Sequence, residues 1–549
     1  MKRIALVIAL AALALAGPAR AQDRAAILDS LQYTGFRFFW DLANPANGLC
    51  PDRSTAGSVC SIASTGFGLS SICIASDHGW VTREAARARV LTTLQTFWNG
   101  PQGPGTTGVI GYKGLYYHWL DMNTARRTWS SELSTIDTAL LFAGILDCRQ
   151  YFTGDDADET TIRALADSIT HRAEWDWTRN GSQGIAMGWN PDNVAGHGTG
   201  FYGFGKWIGY NEAMIMYLIA IGSPTHPVPA TDWNFWVSGY PWGQFSVNVG
   251  YYVQFAPLFG HQYSHCWVDF RRQWDPYMQL KGISYFENSR RATLSQIAYA
   301  RQKGVFEQFF PTNHTYQYGY SDSLWGFTAS DDPSGYAAHG APSGYDNGTI
   351  APTAAISSMP FAPESVWKCV NNMYAHKNSV YQGKLFPYWG PYGFGDAFNP
   401  EQTVWYGTAV LGIDQGPIVL MLENYRTNAV WQRCMTNPDL LNGLSLAGFT
   451  PIVNAVEPAA PAHATLELGA QPNPFRGSTL LRYRLPSAAH VRLVAYDVQG
   501  RAVATLDDGP RAAGEHTVTL DARQLAAGVY HFRLDADGLS VVRRAVLLQ

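Results

Sequence analysis

Up to Pro438 the apolar residues return every third or fourth position, and beyond Ala464 they return every second. Two kinds of folding unit are therefore expected in one chain. In the first period, Ala25 to Leu42 predicts a helix stopped by Asn44-Pro45, and Ser64 to Ser76 and Thr82 to Trp98 predict two more. Thr82 is placed as the N-cap of the third, with Glu84 in its first turn. Trp129 to Phe152 reads as one long helix, and Asp158 to Trp177 as its amphipathic partner, capped by Asp155-Asp156. Further helices are predicted over Pro257 to Phe270, Asp275 to Arg301, Ala351 to Ser358, Pro363 to His376, Glu401 to Leu411, Pro417 to Arg426 and Ala429 to Met435. Tyr112 to Trp129 alternates instead, as a short hairpin over the mouth of a cavity would. Tyr316 to Asn347 has no long helical period, and its Tyr and Trp content marks it as a functional loop.

About a dozen helices in consecutive pairs, with aromatic loops at one kind of junction, predict an (α/α)6 toroid. Segments apolar on all sides, EAMIMYLIAIG at Glu212 to Gly222 and TVWYGTAVLGI at Thr403 to Ile413, are expected on its inner ring. The toroid domain spans residues 22–449, and residues 450–463 are a Pro/Ala-rich linker. Residues 464–549 carry seven stretches of period two, from ATLELGA to SVVRRAVLL, which predict a small immunoglobulin-like β-sandwich.

Residues 1–21 have the charged start, apolar run and Ala19-Arg20-Ala21 cleavage pattern of a secretory signal. No later segment offers 18 uninterrupted apolar residues, so an exported chain without a transmembrane segment is expected, either secreted, on the cell surface or in the periplasm. The net charge of −4 and absence of a basic stripe argue against nucleic acid. Aromatic residues reach 13%, with 19 Trp and 29 Tyr, and their faces stack on sugar rings; an oligo- or polysaccharide is the expected partner. Of the seven cysteines, Cys50 and Cys60 bracket a short loop and are the expected disulfide. Cys73, Cys148, Cys266 and Cys369 are expected as buried thiols, and no C-x-x-C pair suggests a zinc site.

One carboxylate stands out. In Gly198 to Pro224, Glu212 lies between a glycine-broken aromatic approach and an uncharged apolar helix. Desolvation there would keep it protonated near neutral pH, as a glycosidase's general acid must be, whereas a role at the helix N-terminus would favour the anion. Single displacement needs a second carboxyl roughly 6.5 to 9.5 Å away, so from a different segment. Asp414, a lone acid between an apolar stretch and Gly416-Pro417, is the candidate base; its alternative is a helix cap. Glu132 and Asp137 stand five apart, about 140° around a helix, so they face one point only if the helix is broken. Asp121 and Asp346 are candidate ligands for sugar hydroxyls, or turn residues. Trp189, Trp207, Tyr210, Trp325, Trp389 and Trp405 are the aromatic candidates for substrate binding. His261, His265 and Asp269 have the spacing of metal ligands on one helix face, but no zincin Glu follows, and neither a metal nor a cofactor is expected.

The blocks SELSTIDTALLFAGIL, GWNPDN, GFGKWIGYNEAM, FGHQYSHCWVDFR, YGYSDSLWGFTASD, DNGTIAPTAAISSMPFAPE and LGIDQGP together resemble the glycoamylase-like family that includes bacterial endo-β-1,2-glucanases. The match runs from about Arg24 to Pro438. The resemblance implies an (α/α)6 barrel, endo-hydrolysis of β-1,2-glucan with inversion, no organic cofactor, Glu212 as acid and Asp414 as base. The tail, with PNPF at Pro472 to Phe475 and AAGVYHFRL, resembles the C-terminal sorting domain of type IX secretion, which implies a secretion machinery as partner; the terminal Lys common in such tails is replaced by Leu548-Gln549. Three other readings stand beside this one: a hydrolase of another β-glucan linkage, a polysaccharide lyase using His118, His265 and tyrosines, and a non-catalytic glycan-binding surface protein.

Overall fold

Glycine sets the closest approaches in the helical part of this protein. A computed structural model describes residues 24–194, 198–309, 320–378, 380–381, 384–385, 388–400, 405–452, 467–485, 489–498, 501–512, 514–536 and 539–548. They fall into two compact units, one within Met1–Asn454 and one within Ala455–Gln549. The helices of the first are α1 (Arg24–Asp41), α2 (Ile62–Asp77), α3 (Arg83–Asn99), α4 (Thr135–Tyr151), α5 (Ala157–His171), α6 (Met214–Gly222) and α7 (Thr231–Val237), followed by α8 (Pro276–Lys281), α9 (Tyr285–Phe309), α10 (Pro352–Ile356), α11 (Pro363–Ala375), α12 (Gly412–Arg426), α13 (Ala429–Cys434) and α14 (Pro438–Leu446).

Helices α2, α4, α6, α10 and α12 are buried along almost their whole length. By contrast α1, α3, α5 and α11 bury one stripe each, as outer helices do. The buried set is laced side by side: α2 packs on α4 and α12, α4 on α6, and α10 on α12. Their starts are capped where the sequence offers a hydroxyl, with Ser61 Oγ accepting from Ser64 N and Ser134 Oγ from Asp137 N, each at 3.2 Å. Thr82 caps α3 as expected, accepting from Ala85 N at 3.2 Å.

Backbone meets backbone between α2 and α4. A Cβ added at Gly144 would lie 2.0 Å from Gly66 O, and one at Gly66 would lie 2.3 Å from Leu140 O. Alanine at Gly144 gains about 1 kcal/mol of helix propensity but overpacks an immovable carbonyl, which typically costs about 1–3 kcal/mol. Gly144→Ala is therefore expected to lower the urea midpoint of the helical unit; an unchanged or higher midpoint would show that the two helices can separate freely.

The sequence misplaces several boundaries. Residues 129–134 are not helical: Trp129 and Ser130 have φ of 55° and 52°, and Leu133–Ser134 joins a small sheet with Leu115–Tyr117 and Gly188–Trp189. The hairpin expected from Tyr112 is there, Gly111–Tyr112 pairing with Leu115–Tyr117. Pro257 to Phe270 is two single 3-10 turns, Leu258–His261 and Ser264–Cys266, with Leu258 N and Phe259 N bonded to Phe327 O and Thr328 Oγ1. Asp275 to Arg301 breaks at Gly282, whose φ is 71°. The helix expected at Glu401 to Leu411 is absent from its described part. Trp405–Tyr406 pairs with Phe398–Asn399, and Gly407 N and Asp396 N bond to Ala397 O and Ala409 O. The inner helix is α12, which begins at Gly412 and runs through Pro417. Helices α7 and α14 were not foreseen.

The disulfide expected between Cys50 and Cys60 is also absent. Both are buried free thiols beside the Thr65 hydroxyl, which takes a bond from Cys50 N at 3.1 Å and lies 3.5 Å from Cys60 Sγ. Burial pushes the Cys50 thiol up to about 12. Residues 1–21 and the linker from 453 onward lie outside the described residues, and no described helix is long and apolar enough to cross a membrane.

The second unit holds all seven expected strands. Glu467–Gln471, Ser478–Leu485 and Gly514–Asp521 form one antiparallel sheet, and Ala502–Arg511, Ala489–Tyr496, Gly528–Ala536 and Leu539–Leu547 another. Inward residues such as Leu481, Tyr483, Leu493 and Phe532 share one core.

Candidate active site

Glu212 sits in the turn that leads into α6, not in the helix. Ser264 fixes that turn: its hydroxyl donates to Glu212 O at 3.2 Å and accepts from Ile215 N at 3.0 Å. No side chain caps α6, so the carboxyl is left free of the helix terminus. Burial among apolar neighbours pushes Glu212 up to about 7; a backbone donor opposes this and the charge of Asp137 adds to it. The carboxyl therefore keeps its proton until pH nears neutrality, with its residue still partly open to solvent.

Asp137 stands in the first turn of α4, accepting from Ser134 Oγ at 2.6 Å. Because α4 starts only at Thr135, Glu132 precedes the helix, and both acids converge on His118: Glu132 Oε1 lies 2.8 Å from Nδ1 and Asp137 Oδ2 lies 3.7 Å from Nε2. Burial works against the imidazolium, but Asp137 and Glu132 outweigh it and hold His118 up to about 9. One ligand atom from each of the three lies within 4.8 Å of the others, a spacing that would suit a cation; the protonated imidazole already supplies the positive charge there.

A second group of carboxyls gathers at the start of α12. Asp414 and Asp396 are each 3% exposed and are electrostatic neighbours, each acting on the other's ionisation. Asp331 N donates to Asp396 Oδ2 at 2.6 Å, and the Asp331 carboxylate pairs with Arg53 at 3.2 Å. Asp52 adjoins through Arg53 at 3.1 Å and hands its carbonyl to Gly412 N at 2.8 Å. Burial and then the charge of Asp396 push Asp414 well above the ordinary carboxylate range. Two tyrosines tie the halves of the site together. After burial, the charges of Asp414 and Glu212 both raise the Tyr263 phenol, and those of Asp414, Asp396, Asp52 and Asp331 raise Tyr336 on the hairpin Ala329–Asp332/Gly335–Ala338. His118, in turn, feels Asp52. Glu212, Asp137, His118, Asp52, Asp331, Asp396, Asp414 and Tyr263 thus follow one another as electrostatic neighbours.

The other expected binding residues divide. Trp207 borders the first acid group, its Nε1 donating to Thr135 Oγ1 at 3.0 Å, and Trp189 lies in the adjoining strand against Tyr112 and Trp177. Trp389 packs edge-on against Tyr374 and Phe394, and Trp405 pairs with Asn399, both half-buried. Tyr210 and Trp325 are corrections: Tyr210 is 3% exposed among Trp236, Tyr240, His261 and Tyr285, and Trp325 is wholly buried, so both belong to the core. Asp346 is likewise structural, holding Lys303, Tyr299, Tyr320 and Gly348 N. Asp121 closes a turn, its Oδ1 accepting from Asn123 N, Thr124 N and Thr124 Oγ1. His261 and His265 are sealed in the core and pushed down to about 3 by burial, while Asp269 pairs with Arg271. That removes His265 from any lyase chemistry.

Sequence reasoning missed Asp52, Arg53, Asp331, Asp396, Tyr263 and Tyr336. Asp396 had a signal, an isolated acid in GFGDAF; the others sat in loops where Asp and Tyr are ordinary.

The Glycoamylase family, described as "Putative glucoamylase", matches residues 205–438, a span holding Glu212, Asp331, Asp396 and Asp414. An endo-β-1,2-glucanase from Chitinophaga pinensis, solved with sophorotriose and glucose, is 28% identical with a TM-score of 0.66, over 78% of this chain and 99% of its own. An exo β-1,2-glucooligosaccharide sophorohydrolase of Parabacteroides distasonis is 29% identical over 451 residues, 76% of this chain, and the chain spans only 57% of that relative's length. A "putative glucoamylase" from Bacteroides uniformis is 31% identical with a TM-score of 0.66, over 79% of this chain and 99% of its own. On that extent of identity and coverage, the chain belongs to the glycoamylase-like family.

Proposed function

We propose that this protein is a glycoside hydrolase that cleaves β-1,2-glucan, endo-acting and inverting, in its helical unit. The observation that carries the reading is Glu212: a carboxyl kept protonated up to about pH 7, partly open, and electrostatically linked through Tyr263 to the carboxyl of Asp414 at the start of α12. The Glu212 proton passes to the glycosidic oxygen as the bond to the anomeric carbon breaks. Water attacks that carbon from the opposite face, and its proton goes to Asp414. His118, held charged between Glu132 and Asp137, and Trp207 and Trp189 supply donors and stacking faces for sugar beside the acid. Relatives named as β-1,2-glucan hydrolases support this linkage.

The helix order supports an (α/α)6 toroid: α1/α2, α3/α4, α5/α6, α7 with the turn Ser264–Cys266, α9/α10 and α11/α12 alternate outer with inner. The leader pattern at residues 1–21 and the sorting-like tail support export and retention at the surface through a secretion machinery.

The test is digestion of a panel of β-glucans differing only in linkage. Sophoro-oligosaccharides are expected from the β-1,2 polymer, with the α-anomer appearing first by proton NMR. No new reducing ends from any member, with the fold intact, would overturn the reading; release from another linkage would move the substrate.

A further inference from the structure

We propose that Asp396 and Asp414 share one proton, so that the base of the reaction is a carboxyl pair in which Asp396 positions the proton and Asp414 takes up the one released by water. This rests on the hydrolytic reading for its catalytic half only.

Burial leaves each of the two acids with an oxygen that lacks a donor. Asp414 Oδ2 and Asp396 Oδ1 are both fully buried and find no donor among the described residues. Two ionised carboxylates are acceptors only, so two buried neighbours that each leave an oxygen without a donor are satisfied together only by a proton on one of the two. The remaining contacts favour holding a single negative charge on the pair. Asp331 N donates to Asp396 Oδ2, which stabilises charge on the Asp396 side, and Arg53 stands behind Asp331 and Asp52 rather than against Asp414. Asp414 lies in the first turn of α12, where the backbone amides also favour one anion.

Three neighbouring elements bring charged or titratable groups to the pair, while α2 and α10 meet the start of α12 with Ser64, Phe67 and Thr353. The loop before α2 brings Asp52 and Arg53, the hairpin brings Asp331 and Tyr336, the 3-10 region brings Tyr263, and beyond Tyr263 lies Glu212. Their balance is acidic: Asp331 and Asp52 both oppose a second negative charge on the pair, with only Arg53 against them. Two like charges in one buried site cannot both form at neutral pH, so one member stays protonated. When water is deprotonated, its proton enters the pair, which becomes neutral; loss of one proton to solvent after product leaves restores the single charge.

The experiment compares wild type with Asp396→Asn and Asp414→Asn in the full chain, labelled with carbon-13 at the aspartate carboxyls and read by infrared difference spectroscopy without substrate. At pH 6 an ordinary aspartate, with a pKa of about 3.9, is almost wholly ionised. Wild type is expected to show a protonated aspartate carbonyl band that is lost or shifted in each variant. Asparagine keeps the acceptor for Asp331 N, and melting curves check that both variants fold. A band altered only in Asp414→Asn would assign the proton to Asp414 alone, and no change in either would mean no shared proton; both results overturn the proposal. In turnover, Asp396→Asn replaces the shared carboxyl proton by a weaker amide donor, so the singly charged state loses stabilisation and the acid limb of the kcat profile is expected to move up by about one pH unit with KM within about twofold. A lowered melting point with an unmoved acid limb would make Asp396 merely structural. If the protein hydrolyses no glucan, the infrared arm still decides the pair.

Discussion

Glu212→Gln is expected to cut turnover of β-1,2-glucan by about 10²- to 10⁴-fold, the span typical of a lost general acid, with substrate affinity nearly unchanged. Amide for carboxyl preserves shape and removes only the proton. A β-glucoside whose leaving group is acidic enough to depart unprotonated should be hydrolysed almost as fast by the variant as by wild type, and equal losses on both substrates would take Glu212 out of the acid's role. The pH dependence follows from the same group. Wild-type activity needs the protonated acid, so it should decline as pH rises through about 7. Stability moves the same way. The folded pKa of Glu212 lies above its unfolded value of 4.5, so the native state binds the extra proton between pH 4.5 and about 7, and stability falls as pH climbs through that window. Glu212→Gln has no such proton to lose and should melt no lower than wild type at pH 8.

Asp414→Asn is expected to be as damaging, by two orders of magnitude or more, but with a different signature. An activated leaving group does not substitute for a missing base, so both substrates should lose turnover together. Recovery on the activated substrate would instead mark Asp414 as a second route for protonating the leaving group. The folded pKa of Asp414 is also raised, by burial and then by Asp396, so its ionisation in wild type weakens the fold as pH rises above the unfolded value of 3.8. The asparagine variant should show a shallower fall of melting temperature with pH.

The parts of this molecule that announced themselves in sequence are those whose signal is local. Glu212 was legible because a lone acid between aromatics and an uncharged helix has few structural uses, and Thr82 because a cap is a four-residue event. The seven strands of the tail were legible because their period is undisturbed. What failed were features decided at long range. Asp396 comes next to Asp414 only because residues 396–398 lace onto 407–409, and that lacing also turned an apolar stretch that looks helical, Thr403 to Leu411, into extended chain where it is described. Tyr210 and Trp325 have the composition of groove aromatics, yet the helical core needed their volume. Glu132 and Asp137 could be brought to one histidine only by starting α4 late, and left-handed Trp129 and Ser130 lead the chain into that start.

Helix α2 contributes no acid, yet it stands between the helix carrying Asp137 and the helix carrying Asp414. On one side it meets α4 through Gly66 and Gly144. On the other, Ser64 and Phe67 press on Gly412 and Gly416, where an added Cβ would fall 1.9 and 2.1 Å from them. Its thickness is thus a gauge block between the two acid groups. Changing a hydrogen to a methyl on either side would respace the two acid groups from behind without altering any residue in either of them.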